Sequence, residues 1–337
     1  MTTTQQSLVA VVGTTSWGTT LGLVMARRGI EVRLLARTPE EANRLSEAGE
    51  HPDRLPGFAF PESLTVTADW RQGLDGVDTV FFAVPSHTMR DNVRMAAPNF
   101  SGEPLLITGA KGLERDTFKR MSTVIEEEMP ESPSRHCVLS GPNLAHEVVR
   151  ELPTSAVVAS TNSEAAREAQ VLLNSLTFRV YTNADVIGTE LGGALKNIIA
   201  IGAGVIDGMG LGDNAKAGFL TRGLAEITRL GVAAGAQAST FAGNAGLGDL
   251  LATCYSDLSR NRRVGLALAK GMTLQQALDS LGGEVAEGVR TTPPALSMAR
   301  SYGVEMPITE LTNRVLFEGM SPKDALTALM ARAPRSE

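Results

Sequence analysis

The stretch Leu8-Val9-Ala10-Val11-Val12-Gly13-Thr14-Thr15-Ser16-Trp17-Gly18 decides how the chain is read. An apolar run of strand length ends at Gly13, and from Thr19 to Arg28 the positions Leu21, Val24, Met25 and Arg28 recur at helical spacing. Gly29 then stands where a helix C-cap glycine belongs. A glycine-bearing turn between a strand and a helix suits a dinucleotide: Gly13 permits the tight turn, Gly18 lets helix and strand pack closely, and the helix N-terminus faces a pyrophosphate. The fingerprint is degenerate, because Thr15 occupies the position where closest backbone approach asks for glycine. A plain βα turn of another α/β protein is the competing reading.

The segments around this turn repeat its pattern. Strands are expected at Glu31–Leu35, Leu64–Thr67, Thr79–Val84, Leu105–Thr108, Cys137–Ser140, Ser155–Ala159 and Phe178–Tyr181, with helices at His87–Ala96, Thr117–Glu128 and Ser163–Leu173. That alternation is the signature of βαβ units around a parallel sheet. From about Val186 the strand-like runs stop and helical patterns take over: 188–209, 214–230, 247–253, 261–270, 273–280, 292–302, 308–317 and 322–331. The expected fold is an α/β Rossmann-type N-terminal domain, residues 1–186, followed by an all-α C-terminal domain, residues 187–337. Only the ends, up to Ser7 and after Ala333, read as loose tails.

Composition narrows the function. A chain of 337 residues is long enough for two domains and needs no disulfide or metal staples. Cys137 and Cys254 are far apart, with no clustered His nearby, so they read as buried small hydrophobes rather than a zinc site. The net charge of −6 gives no field that would attract nucleic acid. Met1–Ser7 carries no Lys or Arg, and no apolar run is read as reaching the roughly 18 residues of a membrane span. The longest, 198–206, reads as a buried helix, and the chain as a cytoplasmic protein acting on small molecules without membrane insertion.

Several residues sit where chemistry is expected. Some twenty residues past the glycine turn, where an NAD-selective protein places an acid, the chain has Ala36-Arg37-Thr38. An Arg there suits a 2′-phosphate and favours NADPH, against a solvent-facing guanidinium as the alternative. Ligands collect beyond the carboxyl ends of parallel strands, which directs attention to Val84-Pro85-Ser86-His87, to Gly109-Ala110-Lys111-Gly112 and to Gly141-Pro142-Asn143-Leu144-Ala145. Lys111 could meet a phosphate or carbonyl oxygen, or be solvated; His87 reads as a helix-start residue. In Glu190-Leu191-Gly192-Gly193-Ala194-Leu195-Lys196-Asn197-Ile198-Ile199 a lone lysine lies among small and apolar residues. Desolvation lowers such a lysine's pKa toward values useful in proton transfer. A structural pairing with Glu190 or Asp249 is the alternative. Ser259-Arg260-Asn261-Arg262-Arg263, at an expected helix start, combines the donors that a phosphate monoester needs, or else forms a solvated basic face.

Together, GTTSWGTTL, VPSH, KGLE, SGPNLAHE, LGGALKNIIAIGAG, NAKAGFLTRGLAE, GNAGLGDLLATC, SRNRRVG and VEMPIT resemble, in order from about Leu8 to Ala331, the bacterial NAD(P)-dependent glycerol-3-phosphate dehydrogenases. The resemblance implies cofactor contacts at Gly13, Ser16, Trp17, Gly18, Arg37, Lys111, Ala145, Arg260, Val285 and Glu287. It implies substrate contacts at Lys111, Gly141, Asn143, Lys196, Asp249, Ser259, Arg260 and Asn261. Lys196 would be the proton-transfer residue, with Lys111 and Asp249 beside it in catalysis. The implied reaction is reversible reduction of dihydroxyacetone phosphate to sn-glycerol 3-phosphate, by NADPH or NADH, in a homodimer. Two positions depart from the family pattern: Thr15 replaces its middle glycine, which would hold the pyrophosphate farther out or weaken its binding, and Asn143 stands where Ser or Thr is common. The rival readings are a ketopantoate or β-hydroxyacid type reductase, which would need a carboxylate grip in place of SRNRR, and a nicotinamide-binding sensor without turnover.

Overall fold

The computed structural model describes residues 7–130 and 135–333. The expected loose tails, Ser7 and Ala333 apart, lie outside them. The chain folds into two compact units. Unit 1 comprises 1–110 and 121–186; unit 2 comprises 111–120 and 187–337. The expected division at 186 did not foresee that the segment Lys111–Arg120 would be grouped with the helices of unit 2.

Unit 1 is built on eight strands: β1 Leu8–Val12, β2 Glu31–Leu35, β3 Leu64–Thr67, β4 Thr79–Phe82, β5 Leu105–Thr108, β6 His136–Ser140, β7 Thr154–Ala159 and β8 Phe178–Asn183. They form one sheet in the order β3-β2-β1-β4-β5-β6-β7-β8. β1 lies between β2 and β4, where the order reverses, so the turn after it opens at the topological switch point. Helices α1 Ser16–Ala26, α2 Pro39–Ala48, α3 Trp70–Leu74, α4 Met89–Ala96, α5 Met121–Glu128, α6 Ala145–Val148 and α7 Ser163–Leu173 connect the strands. Val9 and Val11 join one core cluster, while Ala10 and Val12 join another, as alternation across a sheet covered on both faces requires. The sheet is not wholly parallel as expected: β7 pairs antiparallel to β6. Their link holds only the four-residue α6, which reverses the chain without a crossover. The helix expected from Thr117 starts at Met121, because Phe118 takes a left-handed φ of 59° and Leu113 bridges Arg120.

Unit 2 carries α8 Val186–Gly208, α9 Asp213–Ala233, α10 Ala238–Phe241, α11 Asp249–Tyr255, α12 Arg260–Ala269, α13 Leu274–Asp279, α14 Glu287–Ser301, α15 Pro307–Phe317 and α16 Pro322–Met330. α8 is the spine. Leu191, Leu195, Ile198, Ile199 and Ala203 are buried in one cluster with residues of α9, α11, α14 and α15, and Leu113 packs there too. Contrary to the expected absence of a span-length apolar run, this 23-residue helix is long and apolar enough to cross a membrane. Its most apolar window is 78% buried inside the protein, as a core helix requires. α12 approaches α8 closely because Gly265 has no side chain: a Cβ there would lie 1.9 Å from the Ile201 carbonyl oxygen.

Candidate active site

On unit 1 the site begins with the β1–α1 turn. Gly13 has φ +104°, and a Cβ at Gly18 would lie 2.1 Å from the Gly13 carbonyl oxygen, so both glycines are fixed by backbone geometry. Thr15, the departure from the fingerprint, is the N-cap of α1. Its Oγ1 accepts a hydrogen bond from the Gly18 N–H at 3.0 Å and donates to the Ala83 carbonyl at 2.7 Å. The hydroxyl is thus turned into the fold. Trp17 packs edge-on to Phe178 with ring centroids 6.5 Å apart, and its indole closes over Gly109, where a Cβ would lie 2.8 Å from Nε1. Ser16 opens α1 and Ala145 opens α6; the Ala145 carbonyl accepts a hydrogen bond from Thr20 Oγ1 at 3.4 Å.

Arg37 stands two residues past the end of β2 and is exposed, with no side-chain hydrogen bond or ion pair among the described residues. Gly141 follows β6 with φ +115°. Asn143 has both amide atoms buried and without a hydrogen-bond partner among the described residues. A carboxamide left so exposed to the cost of desolvation asks for a ligand or water.

On unit 2 the centre is a carboxylate held by two ammonium groups. Lys196 Nζ donates to Asp249 Oδ1 at 2.6 Å and to Thr253 Oγ1 at 2.5 Å, while Lys111 Nζ donates to Asp249 Oδ2 at 2.6 Å. Lys196 and Asp249 are 5% and 2% exposed. Burial pulls the Lys196 pKa down to about 8; Asp249 opposes that shift and Lys111 adds to it. Of the two carboxylates named as structural partners for Lys196, Asp249 is the one engaged; Glu190 pairs with Arg120 at 2.6 Å. Thr253 was missed by sequence reasoning, as was Asn197. The Asn197 amide donates to the Lys111 and Gly193 carbonyls at 3.3 Å and accepts from Asn261 Nδ2 at 2.9 Å.

The SRNRR segment separates into distinct roles. Ser259 is the N-cap of α12 and accepts from the Arg262 N–H. Asn261 is buried and engaged at both ends of its amide, by Asn197 and by the Gly288 N–H at 2.9 Å, so it braces α12 against α8 and α14. Arg262 is bound to Asp207 and Asp257, each at 2.6 Å, and Arg263 is exposed with one bond to the Ser280 carbonyl. Arg260 is half-buried at the first helical position and has no side-chain hydrogen bond or ion pair among the described residues. Val285 and Glu287, just before and at the start of α14, are half-buried. The expected site residues therefore form two sets. Gly13, Ser16, Trp17, Gly18, Arg37, Gly141, Asn143 and Ala145 belong to unit 1, and Lys111, Lys196, Asp249, Ser259, Arg260, Asn261, Val285 and Glu287 to unit 2.

Comparison with known proteins identifies the family. The model of the NAD-dependent glycerol-3-phosphate dehydrogenase N-terminus matches residues 8–166, and that of its C-terminus matches residues 185–327. A Dehalococcoides mccartyi protein named as an NAD(P)+ glycerol-3-phosphate dehydrogenase is 50% identical over 96% of this chain and 91% of its own. A Moorella thermoacetica protein of the same name is 48% identical over 97% and 96%. The crystal structure of glycerol-3-phosphate dehydrogenase from Coxiella burnetii superposes with a TM-score of 0.92 at 37% identity, covering 97% of this chain and 99% of that one. The chain belongs to the NAD-dependent glycerol-3-phosphate dehydrogenase family.

Proposed function

We infer that the chain is an NAD(P)-dependent oxidoreductase that reversibly reduces dihydroxyacetone phosphate to sn-glycerol 3-phosphate. Its product is glycerol phosphate for phospholipid synthesis. The observation that carries the mechanism is the buried Lys196–Asp249–Lys111 arrangement on unit 2. The nicotinamide, when bound, supplies the hydride to C2 of the ketone. Negative charge then grows on the carbonyl oxygen, and Lys196 donates its proton there. With a pKa near 8, Lys196 is protonated at neutral pH yet releases a proton more readily than an exposed lysine. Both oxygens of Asp249 are occupied by lysines, which supports a role in holding Lys196 charged rather than in binding a substrate hydroxyl. Lys111 polarises or positions the carbonyl end of the substrate.

The residues of unit 1 fit a dinucleotide. Gly13 and Gly18 let the turn close tightly, since a Cβ at either would collide with the chain's own atoms, the α1 N-terminus faces the turn, and Arg37 offers a guanidinium unpaired among the described residues to a 2′-phosphate, which favours NADPH over NADH. Ser16, Trp17 and Ala145 would line the cofactor on unit 1, and the family likeness adds Arg260, Val285 and Glu287 to the cofactor residues. On unit 2, Arg260 holds the substrate phosphate with the Ser259 hydroxyl and the first N–H groups of α12; on unit 1, the family likeness gives Gly141 and Asn143 as substrate residues. Asn261 acts by fixing that helix start. We read the enzyme as a cytoplasmic homodimer; light scattering of the purified chain tests the dimer. Arg260→Gln tests the phosphate grip: the KM for dihydroxyacetone phosphate rises at least about tenfold, the loss of one charge-assisted contact. An unchanged KM removes Arg260 from the substrate site.

A further inference from the structure

The β1–α1 turn and the end of β2 are tied together by one side chain, Glu41. Its Oε1 accepts a hydrogen bond from Thr14 Oγ1 at 2.7 Å, and its Oε2 accepts one from the backbone N–H of Arg37 at 3.2 Å. Thr38 caps α2 by accepting from the Glu41 N–H at 3.2 Å, and Pro39 sets the first helical residue. That local geometry returns the Glu41 carboxylate over the strand end it has just left. Thr14 is 8% exposed, and its carbonyl accepts from His51 Nε2 at 3.0 Å, so the turn residue is held on both sides.

In this architecture an acid at the end of the second strand receives the ribose 2′-hydroxyl, and an arginine there receives a 2′-phosphate. The sequence puts Arg37 at that place and no acid. The fold brings one back, because Glu41 is bonded to the backbone of Arg37 itself and to the glycine turn. A carboxylate has about four acceptor positions, and the two bonds described leave room for a hydroxyl donor. The same charge opposes a phosphate.

We propose that Glu41 is a specificity-determining residue at the adenosine end of the cofactor: it accepts from a 2′-hydroxyl and opposes the 2′-phosphate that Arg37 attracts. The two side chains together set the ratio of NADH to NADPH affinity. The proposal rests on the reading of unit 1 as an NAD(P) site.

Calorimetric binding of 5′-AMP and 2′,5′-ADP to the full chain tests it without turnover. Glu41→Gln tightens 2′,5′-ADP relative to 5′-AMP by at least about fivefold, the effect of removing one nearby charge at the protein surface. Glu41→Lys moves the ratio further the same way, and Arg37→Gln moves it in the opposite direction. Thr14→Val removes the hydroxyl contact but neither charge, and it alters both probes alike. If Glu41→Gln and Glu41→Lys change both probes by one factor, or fall out of that order, Glu41 only braces the turns and the proposal is overturned. If the wild-type chain binds neither probe nor NADPH nor NADH, the cofactor reading itself falls and the proposal with it.

Discussion

Lys196 concentrates the chemistry at the scale of a single residue. Replacing it by methionine keeps most of its volume and removes its proton, so kcat should fall about 10²–10⁴-fold, the usual contribution of a positioned acid. The Kd for NADPH should stay within about twofold, because the mutation removes a step rather than a binding contact. A mutant that retains most of its kcat contradicts the assignment. The pH profile follows from the direction of the pKa shift. With Lys196 as the proposed proton donor, kcat/KM for reduction is expected to be level below pH about 8 and to fall about tenfold per unit above it, while oxidation of glycerol 3-phosphate should show the opposite limb. Asp249 raises the pKa of Lys196, so Asp249→Asn should move both limbs to lower pH; an unmoved midpoint means that Asp249 does not govern that proton. The lysine was legible in the sequence because a single cation among Gly, Ala, Leu and Ile stands out. Thr253 and Asn197 were not, since their value lies in partners far along the chain, and a threonine or an asparagine in a helix carries no local mark of that.

Thr15 shows how an element absorbs a departure in sequence. The fingerprint predicts weaker cofactor binding where its middle glycine is missing, yet the threonine hydroxyl caps α1 and bonds to the Ala83 carbonyl. Thr15→Ala removes both bonds and should cost about 1 kcal/mol, read as a lower denaturant midpoint at unchanged slope. No change in midpoint would show that the cap carries no stability. The strands were legible because buried parallel strands read as short apolar runs with sharp ends, as Leu8–Val12 does before Gly13. The antiparallel β7 was not, because strand direction is set by the link and not by the residues of the strand. The helix expected at 292–302 begins earlier, at Glu287, and α14 carries Pro293 and Pro294 inside it. Glu41 was hidden for a related reason: a glutamate in the first turn of a helix looks like a favourable partner for the helix dipole, and only the path of the chain returns it to Arg37.

Across the whole molecule the two cysteines report on integrity. Cys137 and Cys254 are both fully buried, one in each unit, and burial pushes each thiol up to about 12. The native enzyme should therefore leave both unmodified by a thiol reagent, at full activity, and expose both only on unfolding; rapid labelling without loss of structure would contradict that burial. A single assay asks whether the residues proposed for the dinucleotide on unit 1 and the lysine pair of unit 2 serve the same reaction. NADPH oxidation by the purified chain should be followed at pH 7 with dihydroxyacetone phosphate and, separately, with ketopantoate. Turnover is expected with the phosphate ester, with glycerol 3-phosphate as product, and little or none with the keto acid. No oxidation with dihydroxyacetone phosphate, or faster oxidation with ketopantoate, would contradict it.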